Sequence, residues 1–546
     1  MSTEQMQEAV VESSFNDDYL NQVIDNTQAI RRESDRDRMK SQLNNFLSEV
    51  LSGEVVISSD LIGSIEQRIA AIDALLSEQV SQIIHAPEFQ KKESSWRGLH
   101  KLIQSSVTEN TQVRLLQCTK QDLIKDFKSA SDFDQSMLFK CVYESEYGTF
   151  GGTPFSAFVG DFQFDNTPQD ISLLEQISHV AAAAHAPFLS AVAPGMLSMN
   201  DFSEIPRPRD LAKMFDTTDY ARWRSFRQND DSRYIGLTLP RVLGRLPYGT
   251  KTIPADTFTF EESIKEDAAG QDYLWINSAW ELAGRIVESF EEYGWCASIR
   301  GVEGGGLVKS LPAYTYVSES GERTLQCPTQ VAISDRREKE LSDLGFIPLV
   351  HCKGTDYAAF FAVQSINKPR LYNSDEANAN ARLSSQLPYL LATSRFAHYL
   401  KSIVRDKVGS FMSRSECEEY LQKWIMQYVV ASDNAGPETK ARFPLREAQI
   451  NVVEVPGLPG TYKAIAWLKP HFQLEGLSMS LRLVAELPSA AGKLFHVVNI
   501  TTRGSSLWLN CKIANLLKLR LMEKPLQALQ KRRNTVNGWR ATPLLA

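Results

Sequence analysis

Apolar residues recur three and four positions apart from Leu61 to about His85, at Ile62, Ile65, Ile69, Ile72, Leu76 and then Ile83. Gln79 interrupts the stripe, with Val80 beside it. That spacing predicts one long helix with a continuous apolar seam, and Ser58, Ser59 and Asp60 offer caps at its start. The seam packs either on its own domain or against a helix of another subunit; the pattern alone admits both. Two shorter helices are predicted upstream. Leu20, Val23, Ile24 and Thr27 share one side of the first, which Asn16 or Asp17 can cap, and Leu43, Phe46, Leu47 and Val50 line the second, which Gly53 stops. A charge run, Arg31–Lys40, separates them, and Met1–Ser14 shows no pattern.

From Val113 to Gln364 the period alternates. Strands are predicted at Val113–Cys118, Phe155–Phe164, Phe188–Ala193 and Tyr357–Val363, and helices at Lys120–Phe127, Ile171–His185 and Tyr273–Tyr293. Such alternation predicts an α/β domain with a largely internal sheet. Leu383–Val430 reads as two helices divided around Gly409–Ser413. After Pro444 the period becomes two. Ala448–Val455 and Tyr462–Leu468 flank Pro456–Gly460, a hairpin signal. In Ser478–Leu487, Met479, Leu481, Leu483, Ala485 and Leu487 then share one face. A three-stranded meander has few partners of its own, and its outer strand offers unpaired backbone to another chain. The fold class is α/β (α+β): N-terminal helices, a central α/β domain, then C-terminal helices and an antiparallel meander.

The 546 residues carry a net charge of −7, which hides an asymmetry. Ten Lys/Arg and one acidic residue fall from Lys493 onward, so that tail is +9 and the rest is −16. An acidic body argues against a general nucleic-acid binder. The seven cysteines form no CxxC pair, which fits a reducing cytoplasm. The most apolar stretch, Val180–Ala193, contains His185 and Pro187 and is too short to span a bilayer, so no membrane insertion is expected.

Gly301 and Gly306 have P-loop spacing, but Leu307 and Val308 place Lys309–Ser310 two residues late. A loop near a subunit contact is the better reading, with an α/β enzyme or binding protein for a phosphorylated ligand as the alternative. No G-x-S-x-G or H-E-x-x-H occurs among the residues. His351 and Cys352, adjacent in an expected strand, point to opposite faces and make no metal pair. His185 reads as a hydrogen-bonded residue at a helix end. In Arg222–Leu237, Trp223, Phe226 and Tyr234 alternate with arginines, a mixture able to bind single-stranded nucleic acid. Asp230 and Asp231 favour salt bridging instead. No catalytic residue, metal ligand or cofactor site is expected.

Six blocks then agree in order with one family. They are ESSWRGL (Glu93–Leu99), YGTFGGTPF (Tyr147–Phe155), AHAPFLSAV (Ala184–Val192), RYIGLTLPRVLGRLPY (Arg233–Tyr248), LPYLLATSRFAHYLK (Leu387–Lys401) and PLREAQINVVEV (Pro444–Val455). Over about Leu20–Leu487 the chain resembles the large sheath subunit of bacterial type VI secretion systems, the TssC/VipB/EvpB family. Glu93, Trp96, Arg97, Gly98 and Leu99 match the signature that opens its first conserved domain.

The resemblance implies a structural, cytoplasmic bacterial protein that is not an enzyme. It implies pairing with a small sheath subunit (TssB/VipA-like), here assigned to the seam of Ile62, Ile65, Ile69, Ile72 and Leu76. Further protomers, an inner tube protein, a baseplate and a ClpV-like AAA+ unfoldase are the other implied partners. Terminal strands of neighbours join into one intermolecular sheet, which here implicates Ile450, Val452, Tyr462, Ala464, Met479, Leu481 and Leu483. The unfoldase grips an N-terminal helix, matched by position to Leu20, Val23 and Ile24. The expected division is an arm at 1–52, a central α/β domain at 55–376, a C-terminal sheath domain at 377–487, and a basic tail at 488–546 beyond the usual family end.

Overall fold

A computed structural model describes residues 40–42, 45 and 61–473, apart from 107–109, 208, 265–271, 318–322, 408–412, 433, 455–461 and 472. The chain divides into a unit ending at His471 and a second beginning at Phe472.

The elements used below are α1 (Leu61–Ile84), α2 (Pro87–Ser106), β1 (Phe158–Phe164), α3 (Pro168–Ala184), β2 (Phe188–Val192), β3 (Ile235–Leu239), α4 (Ala279–Tyr293), β4 (Leu307–Val308), β5 (Ile347–His351), β6 (Ala358–Phe360), α5 (Leu387–Asp406), α6 (Arg414–Met426), β7 (Leu445–Glu454) and β8 (Tyr462–Pro470). Six strands form one sheet in the order β1-β2-β3-β5-β6-β4. The first four run parallel, with Leu189 opposite Gly236 and Thr238 opposite Ile347. β6 is antiparallel to both β5 and β4.

Every residue of β2 and β3 is buried, as a parallel sheet covered on both faces requires. Alternation along these strands divides the core in two. Phe188, Val192, Ile235 and Leu237 pack with Ile171, Leu174 and Ile177 of α3, while Leu189, Ile347, Leu349 and Phe360 pack with Leu282 and Ile286 of α4. The α3 helix starts where Thr167 accepts the Asp170 amide and ends where His185 turns left-handed, φ 51°. A third core joins Trp295 and Phe396, stacked 4.3 Å apart, to Leu421 and Ile425 of α6 and to Leu445, Ile450 and Val452 of β7.

Three expectations need correcting. Val113–Cys118 is not a strand: it runs as irregular chain with Val113, Leu115 and Leu116 exposed, and it pairs with no strand among the described residues. The helix expected from Tyr273 begins at Ala279, since Trp275–Ile276 pairs instead with Val242–Leu243. Cys352 lies just past β5, so His351 and Cys352 do not share a strand. The helices at 19–30 and near 43–50, the strand Ser478–Leu487 and the tail lie largely or wholly outside the described residues.

Candidate assembly interface

The signature segment is helix α2, and the structure separates its residues by face. Ser95, Gly98, Lys101 and Leu102 turn inward. Ser95 Oγ donates to Asp161 of β1, and Lys101 Nζ lies 2.6 Å from Glu281 of α4. Gly98 sits against the Trp280 indole, where an added Cβ would fall 2.3 Å from Cδ1; only a residue without that carbon lets the helices meet so closely. Leu99 packs on the same small cluster as Leu102, Trp280 and Ala283.

Glu93 and Arg97 belong to a charged network that sequence reading missed. Glu93 Oε1 accepts from Arg97 Nε at 2.7 Å and from Arg245 Nε at 2.8 Å. Arg245 also holds Glu262 through two bonds, of 2.6 and 3.1 Å. His85 Nε2, at 2.9 Å, and the Tyr248 amide, at 2.8 Å, donate to Glu262 as well. Burial would raise the Glu262 carboxyl, but Arg245, Tyr248 and His85 outweigh it and hold it below the usual range. The network fixes the α1–α2 junction to the chain at 245–262.

Trp96 does the opposite of its neighbours and stands 66% exposed. With Phe89 and Ile103, also exposed, it forms a stripe at seven-residue spacing. That spacing was readable in the sequence. Trp96 also lines a groove of about 1940 Å³ bounded by the 110–121 chain, β1 and α4, with Leu115, Phe155, Phe158 and Trp280 among its walls.

The α1 seam faces outward too. Ile65, Ile69, Ile72, Leu76 and Ile83 are all exposed, as is Leu75, so the helix does not bury its stripe on its own domain. Its inner face is polar instead: Asp73, Ser77 and Ser81 accept the backbone amides of Thr259, Glu261 and Ser263. The Ile62 side chain lies outside what the structure describes.

At the other end, β7 and β8 form a hairpin, with Ile450 opposite Ala466, Val452 opposite Ala464 and Glu454 opposite Tyr462. Ile450 and Val452 are buried in their own subunit's core. The outer edge of β7 is occupied by side chains of α6. Gln422 Oε1 and Glu418 Oε2 accept the amides of Ile450 and Val452, at 2.9 and 3.0 Å. Gln422 Nε2 and Arg414 Nε donate to the carbonyls of Ala448 and Val452. By the alternation of an antiparallel ladder, Ala464 and Ala466 then direct their backbone groups away from β7, along the outer edge of β8. No strand covers that edge among the described residues, and Ile465 and Trp467 are exposed beside it. Met479, Leu481, Leu483, Leu20, Val23 and Ile24 lie outside the described residues.

The glycine loop is committed internally. Gly301 N donates to Phe360 O at 2.7 Å and Gly306 N to Gly301 O at 2.8 Å. A short strand rather than a helix follows, so of two amides a phosphate would need one is spent on β6 and the other on the loop's own turn. Trp223 and Phe226 are buried, and Arg227 donates to the carbonyl of Ile366, which removes these aromatics from any base-stacking surface. Among the described residues no group of three His, Cys, Asp or Glu side chains is placed to hold a metal ion, and no helix is long and apolar enough to cross a membrane.

The geometry is therefore one of apolar helix faces, a groove and an open strand edge. The family described as EvpB/VC_A0108, tail sheath N-terminal domain, matches residues 66–367, and its tail sheath gpW/gp25-like domain matches 376–487. The Type VI secretion system sheath protein TssC1 of Pseudomonas aeruginosa is 49% identical over 464 residues, 84% of this chain and 93% of that protein. Among solved structures, the anti-feeding prophage baseplate shows a TM-score of 0.31 at 9% identity, covering 58% of this chain and 66% of that one. The contracted helical sheath of the same prophage scores 0.28 at 10% identity, covering 57% and 66%. Likenesses this distant add nothing about function. Nearly half of all aligned positions shared with a sheath protein, over most of both chains, place this polypeptide in the type VI secretion tail-sheath family, as a large, structural, non-enzymatic subunit of a contractile sheath.

Proposed function

We propose that this subunit pairs with a small sheath protein through the outward seam of α1 and the Phe89–Trp96–Ile103 stripe of α2, and that the pairs polymerise around an inner tube above a baseplate. The observation that carries this reading is the seam itself: a long helix whose heptad positions are isoleucine and leucine at all but Gln79, with Ile65, Ile69, Ile72, Leu76 and Ile83 exposed. Covering a half-exposed isoleucine contributes about 1 kcal/mol, so the stripe amounts to several kcal/mol of association. Neighbouring protomers link by adding a strand along β8, at Tyr462 and Ala464, which keeps the lattice connected while rigid bodies rotate. Contraction is then relaxation to a better-packed lattice that drives effector delivery in the cytoplasm, and an AAA+ unfoldase recycles the product.

Coexpression with the small subunit, followed by electron microscopy of pelleted material, should yield tubes. An Ile69→Asp/Ile72→Asp chain should lose copurification with the small subunit, about thirtyfold in affinity if two contacts of about 1 kcal/mol each are lost. Its circular dichroism should match the parent, because both side chains are exposed and neither belongs to a core of its own domain. Undiminished copurification would move the pairing surface elsewhere.

A further inference from the structure

Cys327 follows the short strand Arg323–Leu325 and is half-buried. Its Sγ lies 3.4 Å from Nδ1 of His351, the last residue of β5, and 3.2 Å from Oγ1 of Thr329. The other imidazole nitrogen, Nε2, is 2.8 Å from the Thr355 carbonyl oxygen. A carbonyl only accepts, so Nε2 carries a hydrogen and donates it. Nδ1 is thereby turned to the sulfur, as the acceptor of its proton or, after transfer, as a donor to the thiolate. Nucleophile, base and orienting group stand in the order that activates a thiol.

The electrostatics run the same way. Burial would raise the Cys327 thiol, but the bonds to His351 and Thr329 outweigh it and hold the thiol below its ordinary value. Burial would likewise lower His351, but its bonds to Cys327 and Thr355 raise it. Elsewhere burial pushes Cys118 up, and Cys296 to about 12, which suits inert thiols.

We propose that Cys327, with His351 beside it, is a nucleophilic thiol site that reacts with peroxides, making it a point of reversible sulfenic-acid modification on a structural subunit. The thiolate attacks one peroxide oxygen, an S–O bond forms and the O–O bond breaks. The departing hydroxide takes the proton from His351 and leaves as water, so the sulfur is oxidised by two electrons and the peroxide reduced. The site sits at a junction of the fold, since the carbonyl of Pro328 accepts the Leu243 amide at 2.8 Å.

The test treats the full chain with hydrogen peroxide in the presence of dimedone and follows Cys327, Cys141 and Cys352 separately by peptide mass spectrometry. Cys141 and Cys352 are the more exposed thiols, yet Cys327 should label about tenfold faster than either. His351→Gln should slow Cys327 about tenfold, with the Cys141 rate unchanged as the internal gauge of folding. Thr329→Val should give a smaller slowing and keeps the test open if His351→Gln disturbs the fold. Labelling of Cys327 no faster than the exposed cysteines, or unchanged by both substitutions, overturns the proposal.

Discussion

Arg245 carries more of the local architecture than any signature residue. Its side chain is 4% exposed and serves two carboxylates, Glu93 and Glu262, of which Glu262 is 2% exposed. Its guanidinium also lies 4.5 Å from the Tyr248 ring centroid. Removing one partner of a buried pair strands the other charge, so Arg245→Met should cost about 3–5 kcal/mol in urea unfolding. Adding Glu262→Gln should return part of that loss; a purely steric role for Arg245 would show no such recovery. The pH dependence has a definite sign. Glu262 is held below its unfolded value, so its contribution is present above about pH 4.3 and is lost as pH falls through the folded value. The Arg245→Met chain should lose that acid limb. An unfolding midpoint equal to the parent's at pH 7 would remove Arg245 from this role. None of this was legible in the sequence, because Glu93 lies 152 positions from Arg245 and periodicity reports only on near neighbours. The Ser413 and Thr119 capping boxes, each complete within four residues, are the contrasting case.

At the scale of elements, the two edges of the terminal hairpin differ. Gln422, Glu418 and Arg414 hold the outward amides and carbonyls of β7 as a neighbouring strand would, which closes that edge to pairing. Replacing the caps by Glu418→Leu/Gln422→Leu should expose the Ile450 and Val452 amides while keeping the α6 helix. The expected outcome is self-association visible as a faster-sedimenting species, since a bare edge recruits other strands. Sedimentation identical to the parent would mean that α6 shields the edge by bulk rather than by these bonds. The hairpin itself was legible, as were α1, α3 and the pair α5–α6, because each carries its own period and its own punctuation. What the period does not state is direction. It marks Ile69 and Ile450 alike as apolar, yet one faces solvent and the other the core, and only the polar contacts of Ser77 and Ser81 decide the first. Val113–Cys118 fails for a related reason: β-type composition makes a strand only where a neighbour takes up its backbone bonds, and among the described residues no strand pairs with it.

For the whole molecule, the proposed mechanism separates two energy sources. If contraction is relaxation between lattices, it runs downhill and requires no nucleotide; returning the subunits to a soluble pool then runs uphill and requires an outside motor with something to grip. That grip must lie outside the surfaces that bind neighbours, or it would be covered in the contracted lattice. The outward helix faces begin with α1, and the Leu20, Val23 and Ile24 pattern precedes them by about forty residues. Deleting residues 1–30 should therefore leave tube formation with the small subunit intact, and contraction should proceed without ATP. Incubation with the unfoldase and ATP should clear full-length tubes but leave truncated ones on electron microscopy grids. Leu20→Asp/Val23→Asp in the full chain should reproduce the truncation if the apolar face is the handle, because a charge on that face removes the contact without shortening the arm. Truncated tubes that clear at the full-length rate would place the handle within the body of the subunit, and the motor would then have to act on a surface the lattice itself leaves open.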